Sequence, residues 1–267
     1  MLYCAPVSHA RILCPLIAGC LVTVAAVPVL SADSPASGGN ASVESFSRAK
    51  KLLVEIQSGR ERTFYCDCPY RGRTPLLEEC GYRPVKDGSR ARRIEWEHVV
   101  PAEAFGQSFA EWRDGHADCV HRGRRFAGRS CARKINREFR RMEADLYNLV
   151  PAIGEVNALR SNFPMAMIPG ESRRFGSCDL EIAERQIEPR PAVRGDIARI
   201  YLYMDGAYPG RGIVSRKQRR LFAAWSAADP VDAWECERAR RIRAIQGNAN
   251  GLVEEACHRL APRQSTD

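Results

Sequence analysis

No C-x-x-C pair occurs anywhere in this 267-residue chain, which removes the close-set thiol pairs common in structural zinc sites. Nor does any long apolar run follow Leu30, so nothing beyond the N-terminus reads as a membrane span. Acids are almost missing between Arg122 and Arg141, where Glu138 stands alone against nine basic residues. A stretch so one-signed is either a solvated face or a surface for a polyanion. Arg outnumbers Lys in it, and the planar guanidinium fork suits phosphate oxygens, which favours the second reading.

What the chain does have begins with Arg11 and an uncharged run from Ile12 to Leu30, followed by the small and polar "SADSPASGGNAS". Pro15 and Pro28 interrupt the run, so it reads as an export signal over residues 1–32, with a flexible linker at 33–45 and one domain over 46–267. Eight cysteines remain outside the signal: Cys66, Cys68, Cys80, Cys119, Cys131, Cys178, Cys236 and Cys257. An even number in an exported chain predicts four disulfides. Cys66 and Cys68 are too close to bond each other comfortably, so each reaches elsewhere, with the connectivity left open. The net charge is +9, and only Arg11 of it belongs to the signal.

The candidate chemistry starts in "IEWEHVVP", Ile94–Pro101. The β-branched and aromatic residues predict a strand that Pro101 stops. Glu97 and His98 are neighbours near its end, and neighbours in a strand face opposite ways, so both serve one site only if the strand frays or bends there. Downstream, Ile135, Phe139, Met142 and Leu146 recur at helical steps and predict a basic amphipathic helix, with Arg133, Arg137, Arg140 and Arg141 on its other faces. In "DLYNLVPAIGEVNALRSNF", Pro151 suits a first helical turn and Asn148 a cap, which predicts a helix from near Val150. Asn157 lies inside it, where an amide is mildly unfavourable and asks for a reason. Either it satisfies buried backbone groups or its oxygen joins Glu97 in holding a hard cation such as Mg²⁺, which often takes only one or two protein ligands. His116-Ala117-Asp118-Cys119-Val120-His121 has irregular spacing and reads as an exposed loop.

The segments "FYCDC", "ECGYRPVK", "IEWEHVVPAEAFG", "DLYNLVPAIGEVN", "RGDIARIYLYM" and "WECERARRIRAIQGNAN", running from Phe64 to Asn250, resemble the endonuclease I family of periplasmic and secreted nucleases, members of the ββα-metal or His-Me finger group. The resemblance implies an α+β fold: a single mixed domain, stabilised by disulfides, in which two strands and a helix hold the site. It implies His98 as general base, Glu97 and Asn157 as ligands of Mg²⁺ (with Mn²⁺ or Ca²⁺ as substitutes), and Glu143 as the residue whose carbonyl orients the histidine ring. It also implies cleavage of DNA, and often RNA, with little sequence preference and 5′-phosphate ends, by an exported protein.

One position departs from the family pattern. Some members carry an arginine about twenty residues after the ligand Glu, in a segment just before a cysteine; that spacing lands here on Ala117. Matching the segment instead lands on Gly128-Arg129-Ser130-Cys131 and makes Arg129 the candidate for steadying the transition state. Arg122, Arg124, Arg125, Arg133, Lys134, Arg137, Arg140 and Arg141 are then candidate phosphate grips, which carry affinity without base information. The expected protein is a monomer acting on DNA, with an exported ribonuclease and a noncatalytic DNA-binding protein as rival readings.

Overall fold

The computed structural model describes residues 38–170 and 172–260; the expected signal, and the linker up to residue 37, lie outside the described residues. At its centre, strand β1 (Ile94–His98) pairs antiparallel with β2 (Leu149–Ile153), Ile94 opposite Ile153 and His98 opposite Leu149. A seven-residue helix follows β2 directly, Gly154–Arg160. Around this unit lie the helices Phe46–Ile56, Arg129–Ile135 and Arg137–Glu143 on one side of the sequence. Arg194–Ala207, Arg216–Ala228, Ala233–Gln246 and Gly251–Leu260 follow on the other. A hairpin of Leu180–Ala183 with Gln186–Pro189 completes the mixed α and β architecture. None of the described helices is long and apolar enough to cross a membrane.

Residues 149–153 form a strand, which corrects the helix expected from Val150. The reason lies in which way Pro151 faces. Its carbonyl accepts from Phe64 N (2.8 Å), away from β1, so the missing N–H falls on the outer edge and costs no ladder bond. Asn148 likewise does not cap a helix: its Oδ1 accepts Val100 N (2.7 Å) and its Nδ2 donates to Val100 O (3.0 Å).

The single basic helix expected through Leu146 is instead two helices, separated at Asn136. That residue has extended backbone (φ −97°, ψ 119°) and its Oδ1 accepts Phe139 N at 3.0 Å, so it acts as an N-cap and restarts the helix. Phe139, Met142 and Leu146 are buried as the periodicity requires, but the break turns the two sets of arginines to different places.

The linker expected over 33–45 is also corrected where it can be seen. Asn40 is buried; its backbone N–H donates to the Tyr208 hydroxyl (2.8 Å) and its Nδ2 to Arg141 O (2.9 Å). Ser45 then caps the first helix, which buries Ala49, Leu53 and Ile56 at steps of four and three. Small polar residues suit a linker by composition, and side-chain bonds to distant elements override that.

Asp145 anchors the C-terminal helices to the turn preceding β2. Its fully buried carboxylate accepts from Tyr203 and Tyr208 hydroxyls (2.8 and 2.7 Å), from Gln246 Nε2 (3.0 Å) and from Tyr147 N (3.0 Å). Burial pushes its pKa up despite those donors.

All eight cysteines outside the expected signal are bridged: Cys66–Cys178, Cys68–Cys80, Cys119–Cys131 and Cys236–Cys257. Four disulfides were expected, and the connectivity comes from the structure. Cys66–Cys178 closes 112 residues, whereas Cys68–Cys80 closes 12. Loop-closure entropy grows with length, so replacing the first pair by alanines is expected to cost about 4–5 kcal/mol and the second about 3 kcal/mol. Urea unfolding of the two double variants checks the ranking; equal or reversed losses would show that native-state strain outweighs chain entropy.

Candidate active site

Glu97 and His98 line one cleft of about 620 Å³ together with Phe46, Arg129, Asn157 and Arg160. Pairing holds through His98↔Leu149, so the strand does not fray within the Glu97-His98 pair, contrary to expectation. On one face of β1, Glu95 meets Asn157 and Glu97 meets Arg160, both from the helix after β2. On the other face His98 meets Phe46 and Glu143. Among the described residues β1 has one strand neighbour, and the cleft takes in side chains from both of its faces.

His98 is buried, and its Nε2 lies 2.8 Å from the Glu143 carbonyl oxygen. A carbonyl only accepts, so Nε2 carries the hydrogen and Nδ1 is left as the acceptor. The Phe46 ring packs against the imidazole at 4.9 Å between centroids. Burial, then the charge of Arg129, pushes the His98 pKa down to about 4 against the pull of the Glu143 carbonyl. The imidazole is therefore neutral at pH 7.

Glu143 also works through its side chain. Its buried carboxylate accepts from Arg129 Nε (2.5 Å) and from Arg133 Nε (2.7 Å). Burial raises its pKa, but the two arginines outweigh that and hold it below the usual carboxylate value. Arg129 stacks over the opposite partner of His98, the Phe46 ring, at 5.6 Å. One of its terminal nitrogens is buried without a hydrogen-bond partner.

Glu97 is buried, and its pKa is raised to about 7 by burial, against the nearby Arg160 cation. Its Oε1 lies 3.3 Å from Arg160 Nε with no hydrogen bond formed. Asn157 donates Nδ2 to Glu95 Oε2 (2.9 Å), and Glu95 is itself held by Arg90 and Arg93. The amide is thus fixed through its nitrogen, leaving its oxygen for another partner.

The other basic candidates are dispersed. Arg122, Arg124 and Arg125 sit on an exposed two-residue hairpin, Val120–His121 with Arg124–Arg125, and do not line the cleft. Arg137 and Arg141 both pair with Glu44, Lys134 bonds Asp118 O, and Arg140 bonds Arg133 O. Arg133 is taken up by Glu143. Among the described residues no three His, Cys, Asp or Glu side chains gather as a metal site, and His116 with Asp118 stays on an exposed loop.

Several cleft residues were not read from the sequence. Glu95 had a usable signal, two residues before Glu97 and hence on its face. Arg160 had one too, a helical turn after Asn157. Phe46 and Lys50, whose ammonium lies 5.0 Å from the Phe46 ring centre, come from a helix far away in sequence and carried none. Arg73 and Arg93 add positive charge to the cleft walls.

The sequence profile described as Endonuclease I matches residues 40–257. An extracellular deoxyribonuclease of Aeromonas hydrophila is 42% identical over 250 residues, covering 91% of this chain and 98% of the relative. A periplasmic deoxyribonuclease of the same organism is 42% identical over 221 residues, 80% and 87% of the two chains. Endonuclease-1 of Buchnera aphidicola is 38% identical over 223 residues, 81% and 83%. With the profile spanning most of the chain and such relatives aligned along nearly their whole length, this protein belongs to the endonuclease I family.

Proposed function

We propose that this protein is an exported endonuclease that hydrolyses phosphodiester bonds of DNA with the help of a divalent cation. Family membership and the names of the relatives support the substrate and the location. The observation that carries the chemistry is the 2.8 Å contact of His98 Nε2 with the Glu143 carbonyl oxygen, which assigns the hydrogen to Nε2 and leaves Nδ1 as the acceptor.

The donor set suits a hard cation. Glu97 is a carboxylate lining the cleft with its Oε1 turned to Arg160, and the Asn157 amide is tethered by its nitrogen so that its oxygen has no partner among the described residues. Two oxygen donors with water filling the other positions is a usual arrangement for Mg²⁺, and Mn²⁺ or Ca²⁺ would find the same oxygens. When bound, the ion would offset charge on the phosphate and the leaving oxygen. His98 takes a proton from a water molecule at Nδ1, and the resulting oxygen attacks phosphorus. The bond to O3′ breaks, leaving a 5′-phosphate and a 3′-hydroxyl that takes its proton from solvent. Arg129, held by Glu143 with one terminal nitrogen unused, supplies charge to the phosphate as it becomes more negative.

Recognition through phosphates gives little sequence preference and hardly separates the two sugars. The test is cleavage of supercoiled plasmid and of RNA at matched concentrations, by protein stripped with chelator and then resupplied with Mg²⁺. Cleavage of plasmid that stops on stripping and returns with Mg²⁺ is expected. Unchanged cleavage after stripping would reject the cation, and cleavage of RNA alone would establish the ribonuclease reading. Glu97→Ala and Asn157→Ala should each weaken Mn²⁺ binding, read by calorimetry without DNA; wild-type affinity in both would show that the ligands lie elsewhere.

A further inference from the structure

A guanidinium lies buried beneath the cleft. Arg160 is 1% exposed and comes from the last position of the helix that also carries Asn157. Its Nη1 donates to His98 O (3.2 Å) and Ser161 O (3.3 Å), its Nη2 to Val99 O and to the Tyr201 hydroxyl (3.3 Å), and its Nε faces Glu97 Oε1 at 3.3 Å. Placing a full positive charge in an interior is unfavourable, and apolar residues of similar volume often serve stability as well or better. What distinguishes Arg160 from an apolar filler is that the groups it reaches include one carboxylate and two successive backbone carbonyls at the point where β1 ends.

Those contacts address the geometric problem posed by Glu97 and His98 being neighbours. Val99 and Val100 are gripped on one side by Asn148, whose backbone oxygen accepts Val99 N (3.0 Å) and whose side chain bonds both backbone groups of Val100. Arg160 grips the carbonyls of His98 and Val99. The backbone following the Glu97-His98 pair is thereby fixed, and the Glu97 carboxylate is faced by a cation that cannot leave. Asn157 lies one turn earlier on the same helix, so Arg160 also ties that helix to the strand bearing Glu97.

We propose that Arg160 is the positioning residue of the cation site: it holds Glu97 and the end of β1 in register with Asn157. Lysine would restore the charge but not the fork, because its donors radiate from one nitrogen and lack the spread of the three guanidinium nitrogens that reach Glu97 and the two carbonyls separately. This rests on Glu97 being a cation ligand.

The experiment measures Mn²⁺ binding by calorimetry, without DNA, for wild type, Arg160→Met, Arg160→Lys and Glu97→Ala, with melting temperatures recorded alongside. Arg160→Met is expected to bind Mn²⁺ at least tenfold more weakly, and Arg160→Lys to fall between it and wild type. An arginine with a merely structural role would lower the melting temperature and leave the affinity of the folded protein unchanged. Wild-type affinity in Arg160→Met, with binding lost in Glu97→Ala, would overturn the positioning role while sparing the ligand assignment. Wild-type affinity in Glu97→Ala would overturn the ligand assignment and the positioning role together. If Arg160→Met does not fold, Arg160→Lys decides, and wild-type affinity there overturns the proposal.

Discussion

His98→Ala is expected to lower DNA cleavage by roughly 10³- to 10⁴-fold, the upper part of the range for losing a positioned proton acceptor, while DNA affinity stays near wild type. The asymmetry follows from where the ring sits. It is 7% exposed, wedged between Phe46 and the Glu143 carbonyl, so it contributes little area to a bound duplex. The cations that would meet phosphates, Arg129 and Lys50 beside it and Arg73 and Arg93 in the same cleft, remain in the variant. Loss of the ring leaves a small void next to Phe46, which would lower the melting temperature modestly. Single-turnover cleavage and filter binding at one salt concentration separate the effects. Equal losses of rate and affinity would show that His98 serves the fold or the binding surface instead of the proton.

That Glu97, His98 and Asn157 would line one cleft was legible because a carboxylate, an imidazole and an amide were out of place for a strand end and a helix interior, and the family pattern linked them. The strand at Leu149–Ile153 was not legible, because Pro151 means a helix start locally and is acceptable in a strand only when its N–H side faces away from the ladder. That direction depends on Phe64, 87 residues earlier, whose backbone N–H takes the Pro151 carbonyl. The basic run misled in a similar way. Its apolar stripe is buried at Phe139, Met142 and Leu146 and half-buried at Ile135, yet Asn136 restarts the helix through one side-chain bond. Composition could not show that Glu44 and Glu143 take up four of its arginines. Arg238, in the basic segment Arg238 to Arg243, donates to the backbone carbonyls of Leu146 and Leu149. Local pattern reports which residues are buried; it does not report which distant acid neutralises which base.

Arg129→Ala should lower saturated turnover by about a hundredfold or more with little change in DNA affinity, in contrast to the alanine variants of Arg122, Arg124 and Arg125. The structure gives the two sets different surroundings. Arg129 opens a helix whose backbone is tied to the 120–125 hairpin by Cys119–Cys131, and its Nε is fixed on the Glu143 carboxylate. The same residue's carbonyl fixes His98, so base and arginine are held by two ends of one glutamate and their separation is preset. A preorganised donor of this kind acts on charge that develops in the transition state, and its loss falls on turnover. The hairpin arginines are exposed and free to follow phosphates; each should weaken binding across sequences and reduce the steepness of salt dependence by about one contact. Glu143→Gln adds a check on the linkage, because its backbone carbonyl still holds His98 while its side chain no longer offers a charge to Arg129. It should reproduce part of the turnover defect of Arg129→Ala without altering the salt slope. If Arg129→Ala instead changes the slope and spares turnover, Arg129 is one more phosphate grip, and the charge that steadies the transition state must come from another cation of the cleft, such as Lys50, Arg73 or Arg93.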